Sequence, residues 1–156
     1  FAFQRWPGYD AAAWARMIAE AREGILPEAP APIVAADRDA GAVRPALAHP
    51  VRAGVWADIE VVQRTVWGSE PPASGGKAGA IITNPPYGIR VGEARGLRDL
   101  YAAFGRVARD RFSGWALALL SADRALEAQL ALPLEEKFRT RNGGIPVRLV
   151  AGRIPA

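Results

Sequence analysis

The chain has 156 residues, half of them hydrophobic, with twenty basic against sixteen acidic side chains and a net charge of +4; that length is enough for one core and one domain. Cysteine is absent and His49 is the one histidine, which excludes disulfides, thiolate metal sites and any multi-histidine metal centre. No apolar run reaches the roughly 18 residues a membrane helix needs, nothing ahead of Trp6 resembles a signal peptide, and Phe1 rather than Met comes first, so we expect a cytoplasmic chain with no metal and no membrane, whose natural start lies upstream.

Residues 9–23 read as a helix: Asp10 can cap it, and Trp14, Met17, Ile18 and Ala21 make an apolar stripe at helical spacing. Gly24 ends it, and Pro27, Pro30 and Pro32 form a stiff linker. Residues 33–36, Ile-Val-Ala-Ala, are a continuous apolar run that suits a buried parallel strand, stopping at Asp37-Arg38-Asp39. Residues 40–53 look helical, but Pro45 and Pro50 require that helix to be kinked or short. A second β-prone run covers 59–62, and a Pro- and Gly-rich loop covers 68–79. The third strand, 80–83, runs directly into Asn84-Pro85-Pro86-Tyr87. Leu97, Leu100, Tyr101, Phe104, Val107 and Ala108 mark an amphipathic helix, 115–120 another buried strand, and 122–130 a further helix. Residues 138–141 and 147–151 read as an antiparallel pair closing around Asn142-Gly143-Gly144. Strands that alternate with helices predict an α/β, Rossmann-like fold with a mostly parallel sheet and a C-terminal antiparallel hairpin.

Asn84-Pro85-Pro86-Tyr87 is the segment that carries chemistry. In open α/β sheets, ligands bind beyond the carboxyl ends of strands, and this tetrapeptide sits at such an end. An aromatic amine is a poor nucleophile because its lone pair is delocalised into the ring. Methylating it requires that lone pair to be aimed at the methyl donor. The Asn84 side-chain oxygen can accept one N–H, and a backbone carbonyl beside the prolines can accept the other. The prolines fix φ and remove competing N–H donors, and Tyr87 can stack on a flipped base. Catalysis of this kind rests on positioning and preorganised acceptors. The plain alternative is a strand followed by a proline-stiffened turn.

The segment 79–90, Gly-Ala-Ile-Ile-Thr-Asn-Pro-Pro-Tyr-Gly-Ile-Arg, resembles motif IV of the amino-methyltransferases. Its surroundings are similar to one branch, the bacterial 23S rRNA guanine-N2 methyltransferases, which usually carry a THUMP RNA-binding domain ahead of the catalytic domain. Residues 1–14 resemble the insertion that these enzymes place after motif I. Residues 112–121 resemble their fifth strand, and Lys137 to Gly143 followed by Ile145 resembles their closing hairpin. The resemblance implies a partial catalytic domain over 1–156. Residues 1–32 would be an insertion helix and linker, and 33–156 would hold strands two to seven. The first strand and its Gly-rich loop are absent, and a missing N-terminal segment or another chain would complete the sheet.

The implied activity is transfer of a methyl group from S-adenosyl-L-methionine to the exocyclic N2 amine of guanine in rRNA, with Asn84, Pro85, Pro86 and Tyr87 as catalytic residues. The implied cofactor residues are Asp37, Arg38, Asp39 and Gln63. Asp37 would accept hydrogen bonds from the ribose diol, although Asp37 or Asp39 can equally cap the next helix. Three departures stand out. Gly75-Gly76-Lys77 precedes a strand instead of opening a helix, so it does not replace the Gly-rich loop. Gln63 lies where the family has an adenine-binding acid, and His49-Pro50 replaces an Asn-Ala pair. Arg90, Lys137, Arg139 and Arg141 are candidate RNA contacts, against the alternative of a solvated surface; Arg98, Arg106 and Arg109 read as the polar face of their helix. Two other readings remain: an N6-adenine methyltransferase, because the tetrapeptide presents either amine, and a non-catalytic remnant that only binds RNA.

Overall fold

The computed structural model describes residues 1–73, 78–87 and 94–156. They form two compact units, Phe1–Pro30 and Ala31–Ala156. In the first unit a 3-10 turn, Ala2–Arg5, precedes helix α1 (Ala11–Glu23). The Asp10 carboxylate accepts the Ala13 N–H at 2.9 Å and caps α1, as its residue type predicts. No residue of α1 is buried. The unit is tied instead by an aromatic cluster in which the Phe3 ring lies 4.9 Å from Trp14 and 6.0 Å from Tyr9.

The second unit opens with β1 (Ile33–Asp37), then α2 (Ala40–Ala46), α3 (Ala48–Ala53) and β2 (Ile59–Gln63). Asp39 caps α2 by accepting the Gly41 N–H at 2.8 Å. The expected break in the helix falls at Leu47, three residues ahead of Pro50, which has no N–H to bond the Ala46 carbonyl and whose ring would crowd it in a continuous helix. Pro50 lies in the first turn of α3, where a missing N–H costs nothing, and Gly54 at φ 73° closes that helix. β1 and β2 are parallel, and their register sets Asp37 opposite Gln63.

The remaining strands are β3 (Ala80–Thr83), β4 (Ala116–Ser121), β5 (Glu135–Asn142) and β6 (Ile145–Arg153), with α4 (Ala94–Arg111) between β3 and β4 and α5 (Arg124–Gln129) between β4 and β5. They form one sheet in the order β3-β4-β6-β5. Gly143 and Gly144 have φ of 55° and 84°, the left-handed pair that a tight two-residue hairpin requires. Lys137 is an extra residue on β5, because Glu136 and Phe138 face consecutive partners on β6. The core lies between this sheet and α4, with Tyr101 and Ala108 of α4 buried against Leu117 and Leu119 of β4.

The expectation of a mostly parallel sheet holds only in part. β1–β2 and β3–β4 are parallel ladders, whereas β4–β6 and β6–β5 are antiparallel. The physical reason is the hairpin: β6 folds back from its tight turn and inserts between β4 and β5, so both of its ladders oppose. The strands also divide into two sheets. Among the described residues, β1 pairs only with β2 and β3 only with β4, so each presents an unpaired edge.

Candidate functional site

β3 alternates as a strand in a half-covered sheet should. Ile81 packs on the core, while Ile82 on the opposite face is 82% exposed. The chain leaves the end of β3 as Asn84-Pro85-Pro86-Tyr87, with Asn84 and Pro86 exposed and Pro85 and Tyr87 half-buried. The expected position beyond a strand's carboxyl end is therefore observed. The tetrapeptide is tied down at both ends. The Tyr87 hydroxyl donates to the Asn84 Oδ1, and the Asn142 side-chain amide donates to the same Tyr87 oxygen at 2.9 Å. The Tyr101 hydroxyl donates to the Pro86 carbonyl at 3.2 Å. Burial pushes the Tyr101 hydroxyl up to about 12, with nearby Tyr87, Glu127 and Asp123 adding to the shift, so it stays a donor at neutral pH.

Sequence reasoning placed Tyr101 on the apolar face of α4 and Asn142 in a turn, and it missed their reach to the tetrapeptide. A buried tyrosine must find a partner for its hydroxyl. That signal was available for Tyr101 without naming the partner. No signal pointed Asn142 across 55 residues to Tyr87.

The four candidate cofactor residues gather at the carboxyl ends of β1 and β2. Asp37 is exposed, and one of its oxygens accepts the Asp39 N–H at 2.8 Å. Asp39 is committed to capping α2, the alternative raised from its sequence position. The Gln63 amide nitrogen donates to the Arg38 carbonyl at 3.0 Å, which leaves the amide oxygen as the acceptor for other donors. Beside Asp37, a cleft is lined by Ala35, Ala36, Val43, Ala46 and Val61. An exposed carboxylate at the rim of an apolar cleft suits a diol joined to a flat heterocycle.

Among the candidate RNA contacts, Arg90 lies outside the described residues. Lys137, Arg139 and Arg141 are all exposed on β5. Lys137 pairs with Glu135 at 2.8 Å and Arg139 with Glu136 at 2.6 Å, and these partners hold both carboxyls below the usual carboxylate range. Arg141 donates instead to the Gly144 carbonyl at 3.1 Å. Arg109 does more than face solvent, because it donates to the Leu130 carbonyl at 2.6 Å and to the Ala131 carbonyl at 3.1 Å. Among the described residues, no group of three or more His, Cys, Asp or Glu side chains could hold a metal ion, and no helix is long and apolar enough to cross a membrane.

A family model described as UPF0020, RMKL-like methyltransferase domain, matches residues 2–151. A protein of Synechocystis sp. that carries the name of an RNA methyltransferase is 31% identical over 150 residues, covering 96% of this chain and 38% of that protein. The ribosomal RNA large subunit methyltransferase K/L of Methylococcus capsulatus is 33% identical over 152 residues, covering 96% of this chain and 20% of its own length. The crystal structure of SMU.472, described as a methyltransferase and complexed with SAH, has a TM-score of 0.79 and 24% identity, covering all of this chain and 40% of that one. At that identity it shows the fold alone. The chain spans 38% of the first of these relatives and 20% of the second.

Proposed function

This chain belongs to the RMKL-like methyltransferase-domain family, and from that premise we propose that it is a partial catalytic domain transferring a methyl group from S-adenosyl-L-methionine to the exocyclic N2 amine of guanine in ribosomal RNA. The observation that carries this reading is the placement of Asn84. Its side-chain oxygen lies just beyond β3, already accepting a hydrogen bond, and a rigid proline pair follows it. In the reaction, the base amine replaces the Tyr87 hydroxyl at that oxygen. The Pro86 carbonyl is engaged by Tyr101, so the Pro85 carbonyl is the second acceptor. Two acceptors on one NH₂ leave its lone pair directed away from both, toward the methyl group. The nitrogen gains the new C–N bond as the methyl's bond to the sulfonium sulfur breaks, its electron pair staying on sulfur, and the amine releases one proton to water. The Tyr87 ring supplies a stacking face.

S-adenosyl-L-methionine supplies the electrophilic methyl when bound. The residues present suit its nucleoside end: Asp37 for the ribose diol, the Ala35–Val61 cleft for the adenine, and Gln63 and the Arg38-Asp39 backbone around them. The methyltransferase descriptions of the matching family and of the Synechocystis relative support this assignment. The unpaired edges of β1 and β3 are where a further segment or chain would add a strand. Arg90, Lys137, Arg139 and Arg141 are the proposed RNA contacts, and the cytoplasm is the proposed compartment.

The test is product mapping. The chain, joined to the segment proposed to complete its sheet, is incubated with rRNA and methyl-labelled cofactor, and the RNA is digested to nucleosides. Label in N2-methylguanosine is the expected result. Label in N6-methyladenosine would make the chain an adenine methyltransferase. RNA binding with no label in any nucleoside would make it a non-catalytic remnant.

A further inference from the structure

We propose that Asn142, at the tip of the β5–β6 hairpin, and Tyr101, on α4, are positioning residues that clamp Asn84-Pro85-Pro86-Tyr87 from two sides. The proposal rests on the reading of that segment given above. Three hydrogen bonds carry it. The Asn142 amide donates to the Tyr87 oxygen at 2.9 Å, the Tyr87 hydroxyl donates to the Asn84 oxygen, and the Tyr101 hydroxyl donates to the Pro86 carbonyl at 3.2 Å. Their donors come from parts of the chain far apart in sequence, and none is needed to build the elements they sit on. Asn142 ends β5 at a turn already satisfied by two left-handed glycines. The Tyr101 ring fills the core without its hydroxyl.

The two contacts do different work. Tyr101 holds the second proline, so the peptide between the prolines cannot rotate and the carbonyl before it keeps its direction. Asn142 donates to the same Tyr87 oxygen that donates to Asn84. When a base amine displaces Tyr87 from the Asn84 oxygen, the hydroxyl loses its acceptor but keeps its donor. Tyr87 is then retained near the base instead of swinging to solvent. The hairpin is thereby coupled to the acceptor that orients the amine. Neither residue touches the reacting atoms.

The test is a mutant cycle. Asn142→Ala should lower kcat for methyl transfer on the order of tenfold, the size of one lost hydrogen bond of about 1.4 kcal/mol. KM for S-adenosyl-L-methionine should be unchanged, and Asn142→Gln should recover less than half of the loss because its amide sits one methylene further out. In a Tyr87→Phe background, which has no hydroxyl to hold, Asn142→Ala should have no further effect. A full additional tenfold loss there would overturn the clamp and make Asn142 a direct RNA contact. Tyr101→Phe should lower kcat several-fold with an unchanged melting temperature, and an unchanged kcat would remove Tyr101 from the proposal. A readout independent of activity separates this from the reaction itself. With 3-fluorotyrosine incorporated, the ¹⁹F line of Tyr87 should shift in Asn142→Ala and in the absence of any substrate. If no RNA is methylated but that line shifts, the reaction assignment fails and the Asn142–Tyr87 contact stands. If the line does not move, the contact itself is absent.

Discussion

A Cβ built on Gly105 of α4 would lie 2.0 Å from the carbonyl oxygen of Leu130, the residue that ends α5. The obstacle is backbone, so it cannot swing aside as a long side chain would. One turn further along α4, Arg109 donates to that same oxygen at 2.6 Å. Gly105→Ala should therefore force the two helices apart and cost about 3 kcal/mol, at the upper end of overpacking penalties. Urea denaturation checks this, and a midpoint equal to that of the parent would show that the helices separate freely.

Arg109→Met should keep the stem packing and lose the α5 cap, at about 1 kcal/mol. Arg106→Met, on the exposed face of the same helix, should change the stability by less than about 0.5 kcal/mol. Equal effects for the two would return Arg109 to an ordinary solvated side chain.

Asn84→Ala should cut methyl transfer by at least about a hundredfold while leaving cofactor affinity nearly unchanged, because a preorganised acceptor is worth about 3 kcal/mol in the transition state. Single-turnover kinetics beside equilibrium binding of the cofactor make the comparison. Parental turnover in the variant would mean that another acceptor aims the amine.

Tyr101 gives stability a dependence on alkaline pH. An unfolded chain ionises this hydroxyl near 10, whereas in the fold it is pushed up to about 12. Below about 10 both states keep the proton and the contribution is complete. Between about 10 and 12 only the unfolded chain gives it up, so stability falls as pH rises through that window. Denaturation midpoints at about pH 9 and pH 11.5 should show a drop that Tyr101→Phe reduces. The same drop in both proteins would place the alkaline sensitivity elsewhere.

The charges on β5 should not contribute equally to RNA binding. Lys137 and Arg139 are ion-paired with Glu135 and Glu136, while among the described residues Arg141 has no carboxylate within ion-pair distance. Arg141→Ala should therefore lower the slope of log affinity against log salt by about one, and Lys137→Ala by clearly less. Fluorescence anisotropy with an rRNA fragment over a range of salt measures both, and identical slopes would show that RNA displaces the glutamates.

The sequence made visible whatever depends on neighbouring residues. The strand 80–83 leading into Asn84, the proline break near residue 47 and the glycine turn after Asn142 each follow from local backbone chemistry, and all three are present. What depends on long-range contact was not legible. Arg109 reads as a solvated cation until Leu130 is placed beside it. Lys137 and Arg139 read as available charge until Glu135 and Glu136 are seen to neutralise them. The strand directions were legible, but the mixed ladders required knowing that β6 inserts between β4 and β5.

The separation of β1 and β2 from the main sheet has a thermodynamic consequence. In the segment from β1 through β2, Pro50 is the one buried residue, whereas the four-stranded sheet rests on the core under α4. Amide hydrogens of β1 and β2 should thus exchange through local opening that requires far less free energy than global unfolding. Asp37 and Gln63 exist as neighbours only while that small ladder is closed. Any molecule that binds across them draws its affinity from a fractionally populated closed state and tightens as the ladder is stabilised. For a ligand bound at this edge, recognition and local folding would be a single equilibrium, observed from two ends.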